Sequence, residues 1–316
     1  MARALLPKVF NQEVDRALLG LFNFLPVRLA KRILWLLHQN PQLGDRWGYV
    51  IRQFHYYEPF PEPELLRSEV ILQRRESRAV SWDLPAQKEL LSVLTSYGNE
   101  VELISQQKQF DFHNDLYYEL DAAIYYALIR HLQPKKIIEI GSGFSSQMAV
   151  LAIAQNQQGE IACIEPYPQT WLTELGNRIT LRSQKLSEVP PEIFQQLQQN
   201  DILFIDSTHT VRFQSDVCKE LLEIMPLLNP GVWIHWHDVF FPYDYPTRWL
   251  IEERRNWSEQ YMLEAFLAFN NHFAVRLANH WSSLEFPELC AALWPGVRQW
   301  QGKTHQCGGF LCQKIA

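Results

Sequence analysis

No CxxC pair occurs in this chain of 316 residues, and its five cysteines, Cys163, Cys218, Cys290, Cys307 and Cys312, are odd in number and scattered. That argues against a zinc knuckle and against a disulfide framework, so the cysteines read as reduced thiols. Cys163 and Cys218 fall in apolar patterns, as small hydrophobes do. A basic excess is missing too. Lys and Arg number 29 against 35 Asp and Glu, which leaves a formal charge of -6 and a pI near 5.9. Nucleic-acid binders normally carry a basic patch, so none is expected as a partner, and a small-molecule or acyl/peptide-like substrate is the default.

Nor does the sequence hold an uncharged apolar run of membrane length. The richest stretch, Leu18 to Leu37, is interrupted by Pro26, Arg28, Lys31 and Arg32, whereas a span needs about 18 uncharged residues or more. The opening MARALLPKVFNQEVDRALL is broken by charges before a signal-peptide core accumulates. A cytoplasmic protein without stable membrane insertion is the expectation. The Leu18 to Leu37 stretch reads first as a helical pair packed on the domain or on a second subunit, which would suit a homodimer. Its other reading is a basic amphipathic segment on a membrane surface. Internal repeats and low-complexity tracts are absent, apart from a Gln-rich flavour at Gln155 to Gln158 and Gln195 to Gln199.

What is present is globular: 47% hydrophobic and 20% charged residues, enough for one α/β domain and a helical addition. Residues 1–110 carry no nucleotide-binding signature, only helically spaced apolar runs and Pro-containing turns such as Tyr57 to Pro63. They read as a helical N-terminal cap, and residues 111–316 as the α/β domain. From Asn114-Asp115 a helix is predicted, with Leu116, Leu120, Ala123, Ile124, Ala127 and Leu128 on one face. Strands follow at Lys136 to Ile140, Ile161 to Ile164, Ile202 to Ile205 and Val232 to His237. Between them lie helices at Ser146 to Ala154, near Thr170 to Leu175, and at Phe213 to Met225. A helix at Glu259 to Phe269, a strand at Phe273 to Ala278 and a short strand at Gly309 to Cys312 close the pattern. Such alternation predicts a Rossmann-like, mostly parallel sheet wrapped by helices, with a ligand crevice at the carboxyl ends of the strands.

Three groups of residues carry candidate chemistry. Glu139-Ile140-Gly141-Ser142-Gly143-Phe144-Ser145-Ser146 sits where a strand turns into a helix. Its glycines permit close ligand approach, and its acid suits a cationic ligand better than a pyrophosphate. A plain strand-to-helix turn is the competing reading. Glu165 ends the next strand, where a carboxylate can accept the two hydroxyls of a ribose. Asp206-Ser207-Thr208-His209 and His235-Trp236-His237-Asp238 follow two further strands. Asp206, His237 and Asp238 are of the types that hold a divalent metal. His209 is the candidate general base for a hydroxyl or amine nucleophile. Against this stands the reading that these groups cap helices and bond loops.

An aromatic, Pro-stiffened loop, His55 to Phe60, is a candidate lid through Tyr56 and Tyr57. His235 and Tyr245, with Trp249, Trp257 and Tyr261, are candidates for an acceptor pocket. For each aromatic, core packing is the alternative.

Taken together, EIGSGFSS, CIEPYP, DILFIDSTHTVRFQSDV and GVWIHWHDVFFPYDYP resemble a bacterial branch of the class I S-adenosylmethionine-dependent methyltransferases, over about residues 110 to 280. The resemblance implies a seven-stranded sheet with its last strand antiparallel. It also implies S-adenosylmethionine as cofactor, with its methionine end over Gly141 to Gly143 and its ribose on Glu165. Glu139, Gly141, Ser142, Gly143, Ser145, Glu165 and Asp206 form the implied cofactor set. A narrower likeness, to the metal-dependent O-methyltransferases of catechol and macrocin type, aligns Asp206, His209 and His237-Asp238 with an acid, a base and an acidic pair. His237 replaces the first acid of that pair, which leaves room for Mg²⁺, a softer metal or none. Transfer to a hydroxyl oxygen of a small specialised metabolite, in secondary metabolism, is then the expectation, with His209 as base and Asp206 as its catalytic partner. N- or C-methyl transfer without a metal, or a non-catalytic nucleoside-binding protein, are the alternatives.

Overall fold

The computed structural model describes residues 24–52, 55–114, 116–296 and 307–316. The chain divides into two compact units, Met1–Pro63 and Glu64–Ala316. In the first, helices α1 (Val27–Gln39) and α2 (Pro41–Trp47) contact each other.

The second unit is built on a seven-stranded sheet of order β3-β2-β1-β4-β5-β7-β6. Its strands are β1 (Lys136–Ile140), β2 (Glu160–Ile164), β3 (Thr180–Arg182), β4 (Ile202–Ile205), β5 (Trp233–Trp236), β6 (Phe273–Ala278) and β7 (Phe310–Lys314). β1 to β5 pair in parallel, and β7 inserts antiparallel between β5 and β6. The expected antiparallel last strand is therefore present. β4 and β5 are buried at every position, because helices cover both faces of a central parallel strand and the two-residue alternation disappears. β3, a half-exposed edge strand of three residues, has no counterpart in the sequence reading.

Residues 64–110 belong to this second unit, so the division falls after Pro63 and not after residue 110. Helix α3 (Leu84–Leu94) starts on an Asp83 cap that accepts from the Ala86 N–H, and buries Leu91 and Leu94. Its Gln87 Oε1 accepts from the Ala278 N–H on β6 at 3.0 Å. Helix α4 (Gly98–Gln106) buries Val101 and Ile104. It is tied by Glu100 to Tyr126 and Arg130, both at 2.7 Å, on α5 (Glu119–Leu132). The apolar faces of α3 and α4 thus close one side of the sheet domain. α5 begins at Glu119 and not at Asn114, because the Asn114 side chain accepts from the N–H groups of Leu116 and Tyr117 and holds a turn. Asp115 lies outside the described residues. The predicted helix at Phe213 to Met225 starts later, at Asp216 on a Ser215 cap, and carries a π turn at Glu220–Ile224. Helices α6 (Phe144–Asn156), α7 (Glu259–Leu267), α8 (Asn279–Glu285) and α9 (Pro287–Leu293) complete the layers used below.

Register places the crevice. Ile140 pairs with Ile164 and Ile205, and Ile205 with Trp236. The next residues, Gly141, Glu165, Asp206 and His237, therefore stand side by side at the carboxyl edge. Chain connections run outward in opposite directions from β1 and β4, which makes this edge a topological switch point.

Candidate active site at the carboxyl edge of the sheet

Two of the glycines expected to meet a ligand do different work. Gly141 has φ +77°, and a Cβ there would sit 1.8 Å from the Asp206 carbonyl oxygen. This glycine is required by the close approach of the β1 and β4 ends. A Cβ on Gly143 would meet nothing within 4 Å, so the open side of the turn is at Gly143, just before α6. Ser142 and Ser145 are buried in the same turn. Glu165 is also buried, and its carboxylate accepts from the Tyr167 N–H at 2.7 Å and from the Ser142 backbone. Burial raises its pKa above the ordinary range.

Glu139 does not face a ligand. It is 0% exposed, and it accepts from Tyr125 Oη at 3.0 Å and from Ser146 Oγ. Burial pushes its carboxyl up to about 7, against the Ser146 and Tyr125 hydrogen bonds. Its contribution is to fasten β1, α5 and α6 beneath the turn, which corrects its expected place among the cofactor contacts.

Beside the turn, acids and imidazoles converge. His209 Nε2 lies 3.2 Å from Asp206 Oδ1 and 3.6 Å from Asp238 Oδ2, while its Nδ1 lies 2.7 Å from Glu259 Oε2. His237 Nδ1 lies 3.6 Å from Asp206 Oδ1 and 3.5 Å from Asp238 Oδ1, and its Nε2 3.5 Å from Asp121 Oδ2. His209 and Asp238 both adopt left-handed backbone angles, φ +58° and +59°, which turn their side chains toward Asp206. Burial lowers both imidazoles, but the surrounding carboxylates outweigh it and both stay well above the ordinary histidine value. Burial likewise raises the Asp206 carboxyl, and His237 and His209 pull it well below the usual range.

A family model described as a methyltransferase domain matches residues 138–239, the span from Glu139 through Asp238. A protein of Archaeoglobus fulgidus, described only as uncharacterized, is 30% identical over 183 residues, 53% of this chain and 82% of its own length. The chain carries a methyltransferase domain. Solved structures similar to the methyltransferase include the O-methyltransferase TomG of Streptomyces achromogenes, involved in tomaymycin synthesis. That match has 15% identity, TM-score 0.40, and covers 75% of this chain and 92% of that one. Another is an O-methyltransferase of Bacillus cereus, with 13% identity, TM-score 0.37, and 70% and 91% covered.

Among the described residues of the methyltransferase, the donor set that converges for a metal is Asp206, His209 and Asp238, whose ligand atoms all lie within 4.8 Å of one another. The expected set had His237 in place of His209. His237 is drawn back toward Asp121, which also accepts from the N–H groups of Gly308 and Gly309 at 2.8 and 2.9 Å and from Asn279 Nδ2 at 2.7 Å. His235 is a core residue and lines no acceptor pocket. It is 0% exposed, its ring sits 5.1 Å from Tyr125 and 4.9 Å from Phe204, and burial lowers it to about 3. Tyr245 is buried as well, accepting from the Gln260 N–H within a cluster with Phe240 and Trp249. Of the candidate pocket aromatics, Trp257 reaches the site, 4.3 Å from the His209 ring. Tyr56 and Tyr57 lie in the first unit, exposed and packed with His55.

Glu259 and Asp121 are the two site residues the sequence reading missed. Glu259 opens α7, where an acid reads as a favourable first-turn charge. Asp121 does interrupt an otherwise apolar helical face, and that interruption was the available signal.

Proposed function

We propose that this methyltransferase moves the methyl group of S-adenosylmethionine to an oxygen nucleophile on a small-molecule acceptor. The observation that carries the reading is the convergence of Asp206, His209 and Asp238 beside the Gly141 to Gly143 turn. The residues present fit the cofactor: open space at Gly143 admits its methionine end, and Glu165, ending β2, suits the ribose hydroxyls. The cofactor supplies a reactive sulfonium methyl, and the chain's task is chiefly alignment. In its free-base form, which the surrounding carboxylates confine to pH above the ordinary histidine range, His209 takes the acceptor's hydroxyl proton at Nε2 and frees the oxygen for the methyl group that the sulfonium would supply. Glu259 fixes the imidazole through Nδ1, and Glu259 and Asp206 together stabilise the imidazolium that results.

A second reading is favoured by the donor set itself. Two carboxylates and an imidazole are ordinary ligands for a first-row divalent cation. Asp206, His209 and Asp238 would hold it, and it would supply charge stabilisation for an acceptor oxygen.

Turnover of a panel of hydroxylated acceptors, with and without chelator, separates the two. In the first reading His209→Ala lowers kcat by about a hundred-fold or more and chelator has no effect. S-adenosylmethionine affinity, read by calorimetry, stays within about two-fold. A matching loss of cofactor affinity removes His209 from the base role. Activity abolished by chelator and restored by Mg²⁺ or Mn²⁺ selects the second reading, and methyl found only on nitrogen or carbon overturns both.

A further inference from the structure

Methyl transfer leaves one surface of the first unit unused. In α1, plotted at 100° per residue, Leu29, Ala30, Ile33, Leu34, Leu36 and Leu37 occupy one half of the helix. Arg28, Lys31, Arg32 and His38 occupy the other. No residue of α1 is buried, and Leu29 and Leu36 are 48% and 45% exposed. No acidic residue occurs from Phe24 to Gly44, although the whole chain carries a formal charge of -6. Charge in α1 is therefore of one sign and opposite to that of the protein. Trp35 lies among the cations, with the Arg32 guanidinium 4.5 Å from its ring centroid.

We propose that α1 docks on an anionic lipid surface, its leucine face in the acyl boundary and Arg28, Lys31 and Arg32 on headgroup phosphates. No helix among the described residues is long and apolar enough to cross a membrane. The 13 residues of α1 extend about 20 Å, against a hydrocarbon core of about 30 Å, so the helix lies in the plane of the surface. A second copy stacked on the same apolar face would leave Arg28, Lys31 and Arg32 on the outer side without counter-charge, whereas an anionic surface compensates them.

The test is flotation of the full chain with phosphatidylcholine vesicles, with and without phosphatidylglycerol, at low and high salt. The chain should float with the phosphatidylglycerol vesicles, stay behind with phosphatidylcholine alone, and be released by salt. Each cation near the surface contributes about five-fold, so the triple variant Arg28→Gln, Lys31→Gln, Arg32→Gln should weaken binding by about a hundred-fold. The double variant Leu29→Ser, Leu36→Ser should lose binding even at low salt. Both should keep wild-type circular dichroism and S-adenosylmethionine affinity, since both variants lie in the first unit and the candidate site in the second. Equal binding to both vesicle types, or binding indifferent to both variants, overturns the proposal. So does a dimer that depends on α1 with no lipid binding, which would give this face to a second copy.

Discussion

His209 Nδ1 lies 2.7 Å from Glu259 Oε2, and the two residues are 4% and 1% exposed. The contact is doubled in the backbone, where the His209 carbonyl accepts from the N–H groups of Ser258 and Glu259 at 2.8 and 3.1 Å. The start of α7 therefore holds the histidine at two points and leaves Nε2 as the nitrogen aimed at Asp206. A carboxylate so placed sets the tautomer and orientation of the ring.

Removing this hold should slow the reaction without touching the cofactor. Glu259→Ala should lower kcat by about ten- to a hundred-fold, with S-adenosylmethionine affinity by calorimetry little changed. Glu259→Gln, which retains an acceptor oxygen for Nδ1–H, should recover part of the loss. A Gln variant as slow as Ala would mean that charge at position 259, and not orientation, is what matters.

The two glycines of the β1 turn should separate fold from binding. Gly141→Ala forces a Cβ to within 1.8 Å of the Asp206 carbonyl at φ +77°, and should cost at least about 3 kcal/mol in urea unfolding. Gly143→Ala meets no neighbour within 4 Å, so its stability should change by less than about 1 kcal/mol. The added methyl occupies the open side of the turn, and S-adenosylmethionine affinity should fall by about ten-fold. Similar stability losses in both variants would show that Gly143 is also a packing requirement.

Asp121 is a buried charge whose value lies in its partners. Desolvation opposes its ionisation, but His237, Asn279 and the Gly308 N–H together lower its pKa. Asp121→Ala would leave two backbone N–H groups and the Asn279 amide without an acceptor. Denaturant unfolding should show a loss of about 3–5 kcal/mol, and Asp121→Asn a smaller one. A neutral result for Ala would mean that water replaces the carboxylate.

How much of this was readable in advance follows from the range of each interaction. β1, β2, β4 and β5 announce themselves as short apolar runs, and the residues just past their ends fall at the crevice by parallel register alone. Asp206, His209 and Asp238 were legible for that reason. The Glu259–His209 contact spans 50 residues and that of Asp121 with Gly309 spans 188, and nothing local encodes either. His209 stands where His237 was expected among the donors because alternation along β5 says which face a side chain takes, but not that a carboxylate on α5 waits there. The boundary at residue 110 followed the first nucleotide-site signature, while α3 and α4, which lack one, cover the same sheet.

Glu139 offers a test by pH, because a carboxyl sealed at about 7 differs sharply from its unfolded form, whose ordinary value is 4.5. Between these values the folded chain keeps a proton that the unfolded chain has released. Stability therefore falls as pH rises through this window and levels off above it. The whole effect is about 3 kcal/mol. Glu139→Gln cannot ionise, so its stability should decline less than wild type from about pH 4.5 to about pH 7, the difference between the two urea-unfolding profiles growing across that window. His209, Asp206 and the other titrating groups are common to both chains and cancel in that difference. Parallel profiles would mean that Glu139 ionises normally in the folded chain, and the buried Tyr125 and Ser146 hydroxyls would then be donating to a full negative charge.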